Sequence, residues 1–171
     1  VKKDDTRQEI AFVALGSNLG DSKELIRRAL DRLQALSTRA ILRSSLWQTT
    51  PVHCPPGSPP FVNAMAGLYP RAEETPQSLL RQLQNLEAEF GRRRSKIVNE
   101  ARLLDLDLIA FGVRTVNLPD LILPHPRAHL RRFVLQPLAE IAPQFVLPGQ
   151  TKGVKALLDD LPQTEMATKL E

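Results

Sequence analysis

The feature that most restricts the fold of this chain is the apolar, leucine-rich run that ends at Phe111, because two aspartates, Asp105 and Asp107, sit inside it. Its length and composition predict a buried strand. Side chains at i and i+2 of a strand leave the same face, roughly 7 Å apart. Two carboxylates side by side in apolar surroundings are costly unless something cationic neutralises them. Mg²⁺ is one candidate, since it takes hard oxygen ligands and shares them with substrate phosphates. Just upstream, Gly91–Arg102 crowds Arg92, Arg93, Arg94, Lys96 and Arg102 around a single acid, Glu100. That is positive charge of the kind a polyphosphate needs. A two-metal phosphoryl-transfer site is one way to read the stretch. Plain ion pairing of Asp105 and Asp107 with Arg102 and a neighbour is the other.

The remaining periodicities place this run in a fold. Ile10–Leu15 is an expected strand that ends in the turn-rich segment Gly16-Ser17-Asn18-Leu19-Gly20-Asp21, whose glycines allow close backbone approach. Leu25, Ile26, Ala29, Leu30, Leu33 and Leu36 recur at helical spacing, with Asp21 or Ser22 as N-cap. Thr38–Thr49 has strand bias. Five of the eleven residues from Thr50 to Pro60 are proline, so this must be a loop, and long ordered loops are often functional. Its adjacent His53 and Cys54 lack a second cysteine at metal-site spacing. Phe61–Leu68 is a further strand, and an inward Asn63 there needs hydrogen-bond partners. Thr75-Pro76 opens a helix with Leu79, Leu80, Leu83, Leu86 and Phe90 on its apolar face, and Gly91 ends it. A short strand is expected at Arg114–Val116, then helices over Phe133–Ala142 and Val154–Leu161. Strand, helix, strand, strand, helix, strand is the ferredoxin-like β-α-β-β-α-β plan, an α+β fold whose antiparallel sheet carries helices on one face, here with a C-terminal helical extension. The expected organisation is a flexible lead-in over 1–9, one domain over 10–161 and a flexible tail over 162–171.

Bulk properties narrow the function. Net charge is +4, with 23 Lys+Arg against 19 Asp+Glu, and the basic excess is concentrated near Arg92–Arg102, which suits a small anionic ligand better than a nucleic-acid backbone. The single cysteine excludes an internal disulfide and fits a reducing cytoplasm. No apolar run reaches membrane-span length, and the polar start is not a secretory signal. RNA-recognition modules share the fold plan, but their aromatic signature is absent and aromatic content is only 5%. A two-metal nucleotidyl-transfer domain also uses paired aspartates. The G-x-x-x-x-G-K-[ST] phosphate loop is missing.

Four segments in order carry a resemblance: A-L-G-S-N-L-G-D (Ala14–Asp21), S-S-x-W-x-T-T-P-V…F-V-N-A (Ser44–Ala64), E-x-x-F-G-R…R-x-L-D-L-D (Glu87–Asp107) and L-P-H-P-R…R-R-F-V-L-x-P-L (Leu123–Leu138). Together they closely resemble the 6-hydroxymethyl-7,8-dihydropterin pyrophosphokinases of folate biosynthesis. The resemblance implies transfer of the β,γ-pyrophosphoryl group of ATP to the pterin hydroxymethyl group, release of AMP and two Mg²⁺ ions. It implies Asp105 and Asp107 as metal ligands, with Arg92 and Arg102 beside them in catalysis. Gln84, Glu87, Arg92, Arg94, Arg102, His125 and Arg131 match the ATP side. Thr49, Thr50, Val52, Phe61, Asn63 and Phe133 match the pterin pocket, the two phenylalanines sandwiching the flat ring. Asn99 stands where the family often has an aromatic, and Ser95-Lys96 shifts a lysine by one place. The basic loop Arg92–Arg102 is expected to close over both substrates. A monomer without nucleic-acid or membrane partners is expected.

Overall fold

The computed structural model of the chain describes residues 9–91 and 101–170. In chain order the elements are β1 (Ala11–Ser17), α1 (Ser22–Leu33), β2 (Leu42–Arg43), β3 (Trp47–Thr49), β4 (Phe61–Leu68), α2 (Pro76–Glu89), β5 (Asp105–Phe111), the hairpin β6 (Val116–Leu118) and β7 (Leu121–Leu123), α3 (Arg132–Ile141), α4 (Val154–Asp160) and β8 (Ala167–Lys169). The main sheet runs β5-β1-β4-β3-β8, with β2 also on β4, and every pair in it is antiparallel. The first strand lies between β4 and β5, the strands before and after α2, which is the ferredoxin-like α+β arrangement.

Alternation along the strands sorts side chains to two faces. Ala11, Val13 and Leu15 of β1 and Ala64, Ala66 and Leu68 of β4 pack with Ile26, Leu30 and Leu33 of α1 and Leu79, Leu83 and Leu86 of α2. Local chemistry fixes where those helices begin. The Asp21 carboxylate accepts from the Glu24 N–H at 3.2 Å. Thr75 and Ser78 form a reciprocal capping box, and Pro76 takes the first helical position.

The opposite face also carries helices. Phe12, Met65, Ile109 and Ala110 pack there against Val134, Leu135 and Leu138 of α3 and Val154 and Leu158 of α4. Helices on a single face, as the sequence suggests, would leave β4 half solvated, but all of Val62–Leu68 is buried. A register shift between Phe12 and Val13 in the β1–β5 ladder brings the neighbours Ile109 and Ala110 to this same face. α3 and α4 cover only part of it; the C-terminal end of β1 and the N-terminal ends of β4 and β5 border a cavity.

Three expectations about elements need correction. The strand over Thr38–Thr49 is two short pieces, β2 and β3. Ser44 fills the gap between them: its N–H donates to the Met65 carbonyl (3.0 Å) and its hydroxyl accepts from the Met65 N–H (2.8 Å), so a side chain completes the ladder. The strand expected at Arg114–Val116 is displaced into the β6–β7 hairpin. The tail after Pro162, expected to be loose, contains β8, which pairs with β3 (Trp47↔Lys169, Thr49↔Ala167) and continues with Leu170 N–H on the Leu46 carbonyl at 2.8 Å. It covers an edge that β3 would otherwise expose, a pairing with no local sequence signal.

Candidate active site

The cavity holds about 320 Å³ and is lined from all four central strands, within the size range of small-molecule sites. Register places its groups. Gly16 on β1 lies opposite Asn63 on β4 and opposite Asp105 on β5, while Ala14 faces Asp107. Phe61 lies opposite Thr49. All these residues fall on the α3 side of the sheet by parity. The i, i+2 reading of Asp105 and Asp107 therefore holds: both line the cavity. Strands are spaced about 4.8 Å apart, so the backbones of β5, which carries the carboxylates, and β4, which carries the amide, lie about 10 Å apart across Gly16. An alanine Cβ at Gly16 would come within 3.3 Å of Asn63 Oδ1 and 3.8 Å of Phe61 Cδ1, so the missing side chain opens the cavity floor.

On the β4 side, the Asn63 amide N–H₂ donates to the Thr49 hydroxyl at 2.6 Å. Both groups are buried. With its nitrogen engaged, Asn63 turns its carbonyl oxygen, a hydrogen-bond acceptor, toward Gly16. Phe61, Phe133, Thr50 and Val52 complete this part of the lining, so all six residues expected for a pterin meet in one cavity.

On the β5 side, Arg102 Nη1 lies 3.1 Å from Asp105 Oδ2. Plain ion pairing is thus real for one aspartate. A carboxylate carries about four lone-pair sites, so this pair does not exhaust Asp105. Arg102 is itself positioned by Asn18, whose side-chain oxygen accepts from the Arg102 N–H (2.9 Å) and whose N–H donates to the Arg102 carbonyl (3.1 Å). The Asn18 amide also donates to the Pro59 carbonyl at 3.3 Å, so one buried side chain ties three loops together around the site. Arg131 lines the cavity with its guanidinium 5.3 Å from the Phe133 ring centroid. Burial, then neighbouring Arg127, lowers its pKa, partly opposed by Asp107, Asp105 and Glu165.

The other expected residues are placed as follows. His125 stands beside the cavity rather than in its lining. Its N–H donates to the Ile109 carbonyl at 2.8 Å, and its Nδ1 accepts from the Arg127 N–H at 3.2 Å. Burial, then Arg131 and Arg127, lowers its pKa. Neutral imidazole with Nδ1 accepting carries its proton on Nε2, a hydrogen-bond donor. Glu87 is buried on α2, and its Oε1 accepts from the Leu106 N–H at 2.7 Å, which holds the outer edge of the strand between the two aspartates. Gln84 is exposed on α2, away from the lining. Arg92, Arg94, Lys96, Asn99 and the expected loop closure lie outside the described residues.

The sequence gives less warning of other members of the lining: His53, Cys54, Arg127, Leu130 and Glu165. His53 has φ 52°, an uncommon backbone state for a non-glycine residue. Arg127 precedes Arg131 by four residues in the L-P-H-P-R segment, a spacing that was a usable signal. Glu165 has none, since only the pairing of β8 brings it in.

Asp105 and Asp107 suit a divalent cation by donor type. Among the described residues no group of three or more His, Cys, Asp or Glu side chains is gathered to hold a metal. Two carboxylates fit Mg²⁺, which keeps several waters and completes its shell with substrate phosphates.

The pattern of the 7,8-dihydro-6-hydroxymethylpterin-pyrophosphokinase (HPPK) family matches residues 12–143, from β1 to just past α3. The chain belongs to this family. It is 42% identical over 138 residues to a 2-amino-4-hydroxy-6-hydroxymethyldihydropteridine pyrophosphokinase of Pseudomonas aeruginosa, covering 80% of this chain and 83% of that one. A Haemophilus influenzae protein of the same name is 39% identical over 153 residues, covering 87% and 93%. Among solved structures, an HPPK-DHPS in complex with substrates superposes with a TM-score of 0.71 at 12% identity, covering 90% of this chain. Wild-type Plasmodium falciparum HPPK-DHPS with pteroate gives 0.70 at 13% identity, covering 92%. The present chain spans 43% of each of these longer chains; at such identities they speak for the fold alone.

Proposed function

We propose that this chain transfers the β,γ-pyrophosphoryl group of ATP to the hydroxymethyl group of 6-hydroxymethyl-7,8-dihydropterin, forming AMP, in folate biosynthesis. Membership of the HPPK family supports the reaction. The observation that carries the assignment to this site is a cavity that gathers three guanidiniums and paired carboxylates with an aromatic-flanked amide, the strand of the carboxylates lying about 10 Å from the strand of the amide. That separation suits a bicyclic heterocycle whose side arm reaches toward the charged end.

Each group has a task that follows from its placement. Phe61 and Phe133 offer apolar faces to a flat ring. The Asn63 oxygen and the Thr49 hydroxyl meet its polar edge. Arg102, Arg127 and Arg131 supply the positive charge that gathers a triphosphate, and His125 offers a neutral Nε2–H donor beside them. The basic residues Arg92 and Arg94 belong to the same proposal. Asp105 and Asp107 would hold two Mg²⁺ ions, which when bound offset phosphate charge and orient the in-line displacement. Asn18 and Glu87 fix the backbone on which Arg102 and the aspartates are mounted. Gln84 remains a candidate for the nucleotide side. A monomer carries every group named, and one cysteine suits a reducing cytoplasm.

Incubation with Mg–ATP and the hydroxymethyl pterin should yield AMP, and a pterin lacking the hydroxyl should yield none. ADP as the nucleotide product, or no pterin-dependent AMP, would overturn the assignment.

A further inference from the structure

The S-S-x-W segment that leads into β3 is gripped by a carboxylate from α3. Glu140, in the last turn of that helix, engages the strand with both of its oxygens. One accepts from the Ser45 N–H at 2.9 Å and from Trp47 Nε1–H at 3.1 Å. The other accepts from the Ser45 hydroxyl at 2.5 Å, with Lys169 Nζ of β8 3.3 Å away. A single side chain thus gathers the strand, its edge partner and the helix that covers them. None of Ser45, Trp47 and Glu140 is part of the cavity lining, so contact with a ligand there does not account for them.

Both elements that Glu140 joins carry residues of the pocket. Trp47 lies opposite Asn63 in the ladder. Thr49 follows two places on, on the same face, and its hydroxyl accepts from the Asn63 amide. On the helix, Phe133 precedes Glu140 by seven residues, about 10 Å along the axis. Between them Pro137 offers no N–H to the Phe133 carbonyl, which weakens the helix at that point. Anchors on either side offset the weakness. At the start of α3 the buried Arg132 donates through Nη2 to the carbonyls of Leu161 and Pro162, both at 3.3 Å, and so also fixes the chain that leaves α4. At the end, Glu140 fixes the helix to β3. That strand is only three residues long, so its ladder alone gives it few bonds.

We propose that Glu140 is a positioning residue for the pterin half of the cavity: by gripping Ser45 and Trp47 it sets where β3 holds Thr49, and hence Asn63, relative to Phe133 on the same helix. Glu140 touches no reacting group and acts through β3. The proposal rests on the assignment of this half of the cavity to the pterin.

The test reads two affinities by calorimetry: that of the hydroxymethyl pterin in saturating Mg–ATP analogue, and that of the analogue alone. Glu140→Ala should weaken the pterin about five- to twentyfold, the scale of one to two hydrogen bonds, and leave the analogue within about twofold. Glu140→Gln keeps one oxygen for the Ser45 N–H and Trp47 and turns an amide N–H toward the Ser45 hydroxyl. It loses the charge but keeps the grip, so pterin affinity should stay within about threefold of native. With Thr49→Val in place, Glu140→Ala should add less than about twofold. Ile26→Val, buried against the opposite face of the sheet, lowers stability and should leave both affinities as they are. In turnover, the KM for pterin should rise by a larger factor than kcat falls. Unchanged pterin affinity in Glu140→Ala, equal weakening of both ligands, a glutamine no better than alanine, or the full loss in the Thr49→Val background overturns the proposal. Should Glu140→Ala not fold, Trp47→Phe removes a single donor and decides: weakening of the pterin alone supports the proposal, and no selective weakening overturns it. Pterin-dependent AMP formation with no selective effect of Glu140 would sink this inference alone. A selective effect without pterin-dependent AMP would sink the assigned reaction alone.

Discussion

Replacement of Gly16 by alanine separates the cavity floor from the fold that carries it. Gly16 is not among the residues with positive φ, so an alanine meets no backbone strain there. Relief of glycine's conformational freedom contributes about 0.5–1 kcal/mol to stability. Against this, the new Cβ would lie 3.3 Å from Asn63 Oδ1, tight enough that Asn63 must give by a few tenths of an ångström. Asn63 is held by its 2.6 Å bond to Thr49, and loosening a neutral hydrogen bond costs about 1 kcal/mol. The two effects nearly cancel, and Tm should move by no more than about 4 °C. Binding has no such compensation. The methyl would project between Asn63 and Phe61, the groups within 4 Å of it among the described residues, and a ligand filling that space would be overpacked by about 1–3 kcal/mol. Pterin affinity should therefore drop roughly 5- to 150-fold. Affinity for a Mg–ATP analogue should hold, because no atom of Asp105 lies within 4 Å of the added carbon. Calorimetry with each ligand alone, beside a thermal melt, checks all three statements. Equal losses for both ligands, unchanged pterin affinity, or a loss of stability beyond about 2 kcal/mol would refute the reasoning.

Other perturbations probe the remaining groups. Asp105→Asn and Asp107→Asn should fold and lose Mg²⁺-dependent AMP formation; native-like turnover in either would remove it from the metal site. Phe133→Ala should weaken pterin much more than the ATP analogue, by about 0.5–1.5 kcal/mol beyond the area lost, whereas equal weakening would mark it as a packing residue. The Glu140 carboxylate accepts from Ser45 N–H (2.9 Å), Ser45 Oγ–H (2.5 Å) and Trp47 Nε1–H (3.1 Å). Burial pushes its pKa up, but these bonds and Lys169 together outweigh burial and hold it low. Its contribution is thus present above the unfolded carboxylate range and lost as pH falls through the lowered folded value. Glu140→Gln should cost about 1–2 kcal/mol in a neutral-pH denaturant titration, and the two proteins should converge in acid. His125 behaves with related sign: its folded pKa lies below the usual 6.5, owing to burial, then Arg131 and Arg127. Below that pH the unfolded chain takes up a proton that the folded chain resists, so stability should decline on acidification and His125→Gln should flatten the decline.

Sequence periodicity alone determined β1, α1, β4, α2 and β5, since each is long enough to declare its period. It also placed Asp105 and Asp107 on one face, because a period of 2 in an unbroken strand admits no other outcome. The residues proposed for the pterin side were legible only through motif resemblance: nothing local to Asn63 shows that Thr49 engages its amide, a partner fourteen positions away. Tertiary structure decided what depends on distant pairing. Burial of both faces of β4 required α3 and α4, whose own periodicity does not say which surface they cover. The division of Thr38–Thr49 into β2 and β3 rests on Ser44 reaching across to Met65. Asn18 and Glu87 became positioning residues only when Arg102 and Leu106 were brought to them. The sharpest case is Glu165. A short polar tail has no hydrophobic pattern to fix its path, and only the open edge of β3 and the anchor at Arg132 turn it into part of the site wall.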